Sequence, residues 1–407
     1  MTCLFLFILI APAAILYSQG YRISLSPETD GKIISRTGGL FLRAIPRQAN
    51  IYIDGKLKKR TDFFFGSALI ENLLPKKYKV EIKKESHHPW EKTLEIREKQ
   101  VTEAKNVILF PKDVEFSILS GQTEQFWLSP DQKNIILKTA EENGWVLYGY
   151  NLEKNEKNRL IAAEDIATKS SLLLELDFPK DSKEIRLKIG IGKEIKIFSL
   201  TETNEIKPFL SEESNDKNDA YRLDDSGHLV KNNAAVTAEP FSLKKDYEYG
   251  LEVFQDFIFL TENSKLYKFN PESKSFEVFF EKVNELKLSP DGKKLLYSSD
   301  HEIWILFLSD RSEPPQKSKG EKLLLTRLSE KIGSVFWLND NYVIFTAGDD
   351  VKISEIDTRD KPNIITVFEI KNLPQTGSFS EMLWNQSDKK IYLLNRETLY
   401  VSSAILP

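Results

Sequence analysis

Residues 286–298 read LKLSPDGKKLLYS: a short apolar strand, a tight polar turn, then a second apolar strand. Pro290 and Gly292 carry the turn, because proline presets φ and glycine tolerates the left-handed region. The pattern returns as FWLSPDQKNIILK (126–138), LDFPKDSKEIRLK (176–188), YRLDDSGHLVK (221–231), FWLNDNYVIFTA (336–347) and LWNQSDKKIYLL (383–394). With Pro130, Pro179, Asp225, Pro290, Asp340 and Gln386 as markers, successive spacings are 49, 46, 65, 50 and 46 residues. A period of about 45–50 residues built only of strands predicts a β-propeller. The widest gap holds a further candidate, LEVFQDFIFLTENSKLYKFN (251–270), which gives seven blades; six is the count without it. A third strand follows each hairpin, as in WVLYGYN (145–151), EIWILFL (302–308) and TLYVSSA (398–404). The last repeat runs out after that third strand. VEFSILS (114–120), which precedes the first repeat, is expected to supply the missing outer strand and close the ring. Closure removes open sheet edges.

Upstream the pattern changes. GLFLRAIP (39–46), ANIYIDGK (49–56), KKYKVEIKKE (76–85), KTLEIRE (92–98) and KNVILF (105–110) are short alternating or apolar runs. Five strands in residues 40–111 predict a small β-sandwich-like domain. Pro27, Gly31, Gly38 and Gly39 mark residues 22–39 as a linker. Residues 1–21 hold no charged side chain. As a helix they would span roughly 30 Å, the thickness of a bilayer core. A single-pass anchor is the expectation; a signal peptide cleaved near Ala11-Pro12-Ala13 and a buried core helix are the alternatives. No basic residue precedes the segment, and Arg22 follows it.

The expected fold class is therefore mostly β: an N-terminal transmembrane helix (1–21), a linker (22–39), a small β-sandwich domain (40–111) and a β-propeller (112–407). A chain of 407 residues suits two or three domains, and 11% aromatics with 2 Met favour strands over helix bundles. The 57 basic and 61 acidic residues give a net charge of −4, which argues against a nucleic-acid partner. The small domain carries 15 Lys/Arg and 9 Asp/Glu, so the acidic excess lies beyond it. Lys76, Lys77, Lys79, Lys83 and Lys84 form the densest basic cluster, with Glu81 and Glu85 interleaved as on a solvated strand face. The single Cys3 excludes a disulfide framework and a cysteine-based metal site.

The small domain resembles the PEGA domain, a bacterial β-module of surface and membrane-tethered proteins. IPRQANIYIDGK (45–56), IENLLPKKYKVEIKKE (70–85) and HHPWEKTLEI (87–96) carry the resemblance. The family's Pro-Glu-Gly-Ala is here Pro46-Arg47-Gln48-Ala49, and its Gly-Tyr before Pro-Trp is replaced by Ser86-His87-His88. The resemblance implies an envelope location and supplies no ligand. LSPDGKKLLYSSD (288–300) similarly resembles the TolB-type propeller repeat, a fold that serves both as a binding platform and as an appendage to peptidases.

Three tryptophans are candidate binding residues. Trp127 and Trp337 hold matching positions in their repeats, and Trp90 follows Pro89. Core packing is the competing expectation for all three. His87 and His88 are adjacent, so on a strand they point to opposite faces and do not chelate together. GIGKEIK (190–196) lies between two strands with no helix following, which reads as a hairpin turn rather than a phosphate loop. Turn chemistry likewise accounts for Asp224-Asp225 and Asp349-Asp350. The polar loops 211–220 and 309–322 are candidate recognition loops. No G-x-S-x-G, H-E-x-x-H, Walker A or nucleophilic cysteine motif occurs, so no catalytic, metal or cofactor residue is assigned. These readings predict a membrane-anchored, extracytoplasmic binding or scaffold protein that presents a propeller to a partner protein or envelope polysaccharide. A propeller-type glycoside hydrolase or lyase is the alternative.

Overall fold

The computed structural model describes residues 7, 10–12, 14–17, 20–23, 34–142, 144–166, 171–179, 184–201, 203–209, 221–373 and 379–406. Most of the expected anchor, and loop 211–220, lie outside the described residues. Among the described residues no helix is long and apolar enough to cross a membrane. The chain divides into two compact units: Met1–Val114 with Lys287–Glu369 and Ile405–Pro407, and Glu115–Leu286 with Ile370–Ala404.

The first unit opens with a short antiparallel pair, Tyr21–Ile23 (β1) and Ile34–Arg36 (β2), in which Tyr21 lies opposite Arg36. Seven strands follow: Gly38–Ile45 (β3), Asn50–Ile53 (β4), Lys56–Arg60 (β5), Ser67–Leu73 (β6), Lys77–Lys83 (β7), Trp90–Glu95 (β8) and Val101–Ile108 (β9). They form two sheets, β6-β3-β9 and β5-β4-β7-β8, with β3 and β9 parallel. Alternation fixes the core between them: Leu40, Leu42 and Ala44 from β3, Ile51 and Ile53 from β4, and Val80 and Ile82 from β7 are all buried. Two of these strands were not expected. β5 reads KLKKR, is exposed at all five positions and forms a sheet edge, so it carries no alternating apolar signal. The expected linker 22–39 is also shorter than its glycines suggested. Gly38 begins β3, and a Cβ there would stand 2.2 Å from the Arg97 carbonyl oxygen. That glycine serves a close backbone approach, not a loop. Gln48 and Ser86 both adopt φ 59°, so the left-handed conformation at these two turns is taken without glycine.

Beyond residue 114 the described residues form seven antiparallel sheets, six of four strands and one of three. Six lie in order along the chain at 123–162, 171–208, 222–235, 249–280, 285–327 and 332–369, here the first to sixth sheets. The seventh combines 379–402 with Phe116–Ser120 at its edge, where Phe116 pairs with Ser402. That strand is the expected closing one. The wide gap between markers does contain a complete extra sheet, the fourth. Serial meanders completed by a strand from before the first are a β-propeller-like fold.

Within the first unit the fifth and sixth sheets share a core in which Leu296, Ile303, Ile305 and Phe307 meet Val335, Trp337, Val343 and Phe345. The marker turn is built as its sequence suggests. Ser289 Oγ donates to Asp291 Oδ1 at 2.6 Å, Lys294 N donates back to Ser289 Oγ at 2.9 Å, and Gly292 takes φ 67°. Asp291 N donates to Asp340 Oδ1 at 2.8 Å, which joins the markers of two successive repeats. Within the second unit Phe126, Ile135 and Leu137 pack on Tyr392, Leu394 and Leu399, so the first and seventh sheets share a core. Their turns meet too: Asn385 Nδ2 donates to the Gln132 carbonyl at 3.1 Å.

Candidate binding surfaces

The three tryptophans are not gathered into one site. Trp337 is 6% exposed, lies inside the core of the fifth and sixth sheets, and donates its ring N–H to the Lys287 carbonyl at 3.0 Å. Trp127 is half-buried against the cluster shared by the first and second sheets. Trp90 is 3% exposed, and its ring N–H donates to Glu355 Oε2 at 2.8 Å. Burial leaves Trp90 and Trp337 no free ring face for a sugar or peptide, which corrects the ligand-stacking expectation for these two. Of the paired acidic candidates, Asp224 serves a turn, its Oδ1 accepting from the Ser226 hydroxyl and from the amides of Ser226 and His228, whereas Asp350 opens the strand Asp350–Glu355 and pairs with Lys352 at 2.6 Å. The Ser226 hydroxyl bond, followed by the His228 amide, holds the Asp224 carboxyl below its usual range. GIGKEIK is a hairpin turn, with Gly192 at φ 63° between Ile185–Ile191 and Glu194–Leu200. Among the described residues no group of three or more His, Cys, Asp or Glu is arranged to hold a metal ion.

Trp90 instead marks a junction between the small domain and the sixth sheet. On β8, Trp90, Lys92 and Leu94 share the inward face, so Lys92 enters the interior. On Asp350–Glu355, the same parity sets Val351, Ile353 and Glu355 inward. The two charges meet: Lys92 Nζ lies 2.7 Å from Glu355 Oε1, with side chains 0% and 5% exposed. A buried ammonium needs all three of its donors satisfied. The other two reach the carbonyls of Asp357, at 2.7 Å, and Lys361, at 2.8 Å. Glu355 is equally committed, because Oε1 also accepts from Asn363 N at 3.0 Å and Asn363 Nδ2 at 2.7 Å.

More bonds surround this pair. Thr93 N donates to Asp360 Oδ2 at 2.9 Å, and Arg359, forked onto Asp357, donates to the Glu103 carbonyl at 2.7 Å. Tyr342 Oη accepts the Ile108 amide at 3.0 Å, and the Tyr342 ring meets Phe110 edge-on at 5.3 Å. Burial raises the Tyr342 hydroxyl well above the usual phenol range, and the charge of Glu355 adds to the effect. It is therefore a neutral, fixed group. The candidate loop 309–322 is likewise tied down. Arg311 and Lys317 bridge, Lys317 Nζ lies 2.5 Å from Glu321, and Asn106 Nδ2 reaches Glu313 at 3.4 Å. Residue parity signalled this junction in the sequence, since Lys92 and Glu355 each sit on the apolar face of a strand.

Among the open concavities of ligand size in the second unit, one lies between the first and second sheets. Its volume is about 660 Å3, within the range usual for binding clefts. Ile136, Leu160, Phe178, Ile185 and Leu200 line it, with Asn134, Asn151, Asn158 and Asn204 among its polar groups. Trp127 belongs to the apolar cluster beneath it.

A search of curated proteins finds no match. Among solved structures, a catalytically inactive virginiamycin B lyase from Staphylococcus aureus with quinupristin aligns with a TM-score of 0.42 and 11% identity, over 72% of this chain and 99% of that one. A chain of the mitotic checkpoint complex aligns with a TM-score of 0.43 and 10% identity, over 72% and 94%. YCF48 from Cyanidioschyzon merolae aligns with a TM-score of 0.41 and 10% identity, over 71% and 98%. Residues 37–108 match the family model of the PEGA domain.

Proposed function

We propose that this protein is a membrane-tethered, extracytoplasmic binding scaffold in which a PEGA domain carries a seven-bladed propeller of TolB-type repeats. The buried junction carries the proposal. Two fully satisfied charges, a buried tyrosine and a tryptophan fix the PEGA domain to the sixth sheet, so the two parts act as one rigid arm. Rigidity suits positioning and recognition, because little conformational freedom is left to lose on binding. The cleft between the first and second sheets is the proposed docking place for a partner protein or envelope polymer. Its apolar lining supplies contact area, and its asparagines supply both donors and acceptors. Residues 1–21 are the proposed tether.

Protease treatment of intact cells tests the location, with any outer membrane permeabilised first and a cytoplasmic marker followed alongside. Degradation of the propeller while the marker survives is the expected result. Degradation only after lysis would overturn the extracytoplasmic placement.

A further inference from the structure

The turn joining β5 to β6 reads TDFFFGS (61–67), and its three phenylalanines lie in water: Phe63 is 63% exposed, Phe64 72% and Phe65 72%. Three adjacent exposed aromatics on a β-domain require an explanation. The turn is firmly built. Asp62 Oδ1 accepts the amides of Phe64 and Phe65 at 2.8 and 2.7 Å, and Asp62 Oδ2 accepts the amide and hydroxyl of Ser67 at 2.7 and 2.6 Å. The Ser67 hydroxyl, then the Phe65 amide, holds the Asp62 carboxyl far below its usual range. Gly66 takes φ 66°, and a Cβ there would stand 2.5 Å from the Ala44 carbonyl oxygen. Phe63 and Phe64 stand edge to face with centroids 5.5 Å apart. The aromatics are thus held outward by a turn that the local sequence specifies.

Four cations lie on the adjoining elements. Arg47 Nη1 donates to the Phe63 carbonyl at 3.4 Å, and Arg43 pairs in register with Ser67. On exposed β5, Lys59 Nζ reaches the Leu69 carbonyl at 3.0 Å, and Arg60 Nε reaches the Gln48 carbonyl at 2.9 Å. Asp62 is the acid inside the turn, and its oxygens already accept four bonds; Glu71 follows on β6. Lysines on an edge strand also deter strand-to-strand aggregation, but that role needs no exposed phenylalanine beside them.

We propose that the turn 61–67 is a membrane-interface wedge: Phe63, Phe64 and Phe65 enter the headgroup boundary of an anionic lipid bilayer, and the neighbouring cations Arg43, Arg47, Lys59 and Arg60 add attraction to its anionic surface. Apolar burial and cation attraction to an anionic leaflet act together at such a surface. The wedge does not depend on residues 1–21 being an anchor. With an anchor it would set the height and tilt of the rigid arm over the membrane.

The test uses the full chain carrying Cys3→Ser and Phe65→Cys, labelled at residue 65 with a polarity-sensitive fluorophore and reconstituted with vesicles. Vesicles of phosphatidylglycerol with phosphatidylcholine are compared with phosphatidylcholine alone. Blue-shifted emission and quenching by a lipid-borne quencher are expected on the anionic vesicles. Phe64→Ser should lower the ratio of lipid-contacting to water-exposed label roughly tenfold or more. Lys59→Gln or Arg60→Gln should each lower it roughly fivefold. A label that stays in water on both vesicles overturns the wedge. So does a shift that survives Phe64→Ser, or one that grows with protein concentration in the absence of lipid, which would mark self-association. Flotation of the same samples reads the tether separately, so a floating protein with a water-exposed label loses the wedge and keeps the tether.

Discussion

The PEGA domain uses two regions in opposite ways. At the junction it buries Lys92 and gives each ammonium donor an acceptor; at the turn 61–67 it leaves three phenylalanines in water. Both depart from the rule that charges lie outside and aromatics inside. Each departure has its own logic. A buried charge pair is tolerated where the partner surface is already present and the hydrogen bonds are complete. An exposed aromatic cluster on a well-formed turn suits a surface that has yet to arrive. His88 stands between the extremes: it is half-buried, its amide donates to the Phe110 carbonyl at 2.8 Å, and its buried Nε2 has no hydrogen-bond partner.

The largest effect is expected at the junction. Glu355→Ala leaves the Lys92 ammonium buried with two carbonyls and no counter-charge, and removes the acceptor of the Trp90 N–H. The expected loss is about 3–5 kcal/mol of unfolding free energy. Lys92→Met combined with Glu355→Gln should lose distinctly less, because no unpaired charge remains and the Gln oxygen can still accept from Trp90. Urea denaturation of Lys92→Met, of Glu355→Gln and of the double closes the cycle. Strictly additive losses would show that the pair does not act as a unit.

A smaller, pH-dependent effect is expected at His88. Burial lowers its imidazole below the ordinary value of 6.5; Lys112 and His87 push the same way and Asp113 opposes them. Between the folded value and about 6.5, the unfolded chain therefore binds more protons than the folded one. Stability from this group is complete above about pH 6.5 and is lost as the pH falls through the folded value. The urea midpoint should drop between about pH 7.5 and about pH 5.5, and His88→Gln should flatten that drop. An unchanged slope in the variant would place the pH dependence elsewhere.

Local patterns made much of this architecture legible. The marker hairpins and the strands after them were visible because period-2 alternation and turn residues are properties of a few neighbouring positions. The closing strand was legible from an unmatched strand at each end of the repeats. β5 was not, because KLKKR at a sheet edge has no buried face to reveal it. Gly38 misled because a glycine set by close backbone approach reads the same as a loop glycine until the approaching carbonyl is seen. The junction left a legible trace, Lys92 and Glu355 on inward faces, but pairing residues 263 apart requires the fold. The FFF run showed no period, so its exposure could not be read from sequence. For Trp90 and Trp337 the sequence left core packing and ligand stacking side by side, because aromatic character alone does not separate a packed ring from an open one.

The smallest stability effect is expected at the run of three phenylalanines. Phe64 is 72% exposed, its side chain touches water over most of its surface, and its amide rather than its ring holds the turn. Phe64→Ser should therefore change unfolding stability by no more than about 0.5 kcal/mol, as for surface substitutions elsewhere. The amide bond to Asp62 remains in the variant. A thermal melt of the full chain against Phe64→Ser checks this. A large loss would mean that the ring is packed in the working protein, against another part of this chain or a second copy, and the contrast with the junction would disappear. A null result sharpens the contrast, because a residue that contributes nothing to folding yet is held rigidly outward is available for a surface outside the molecule.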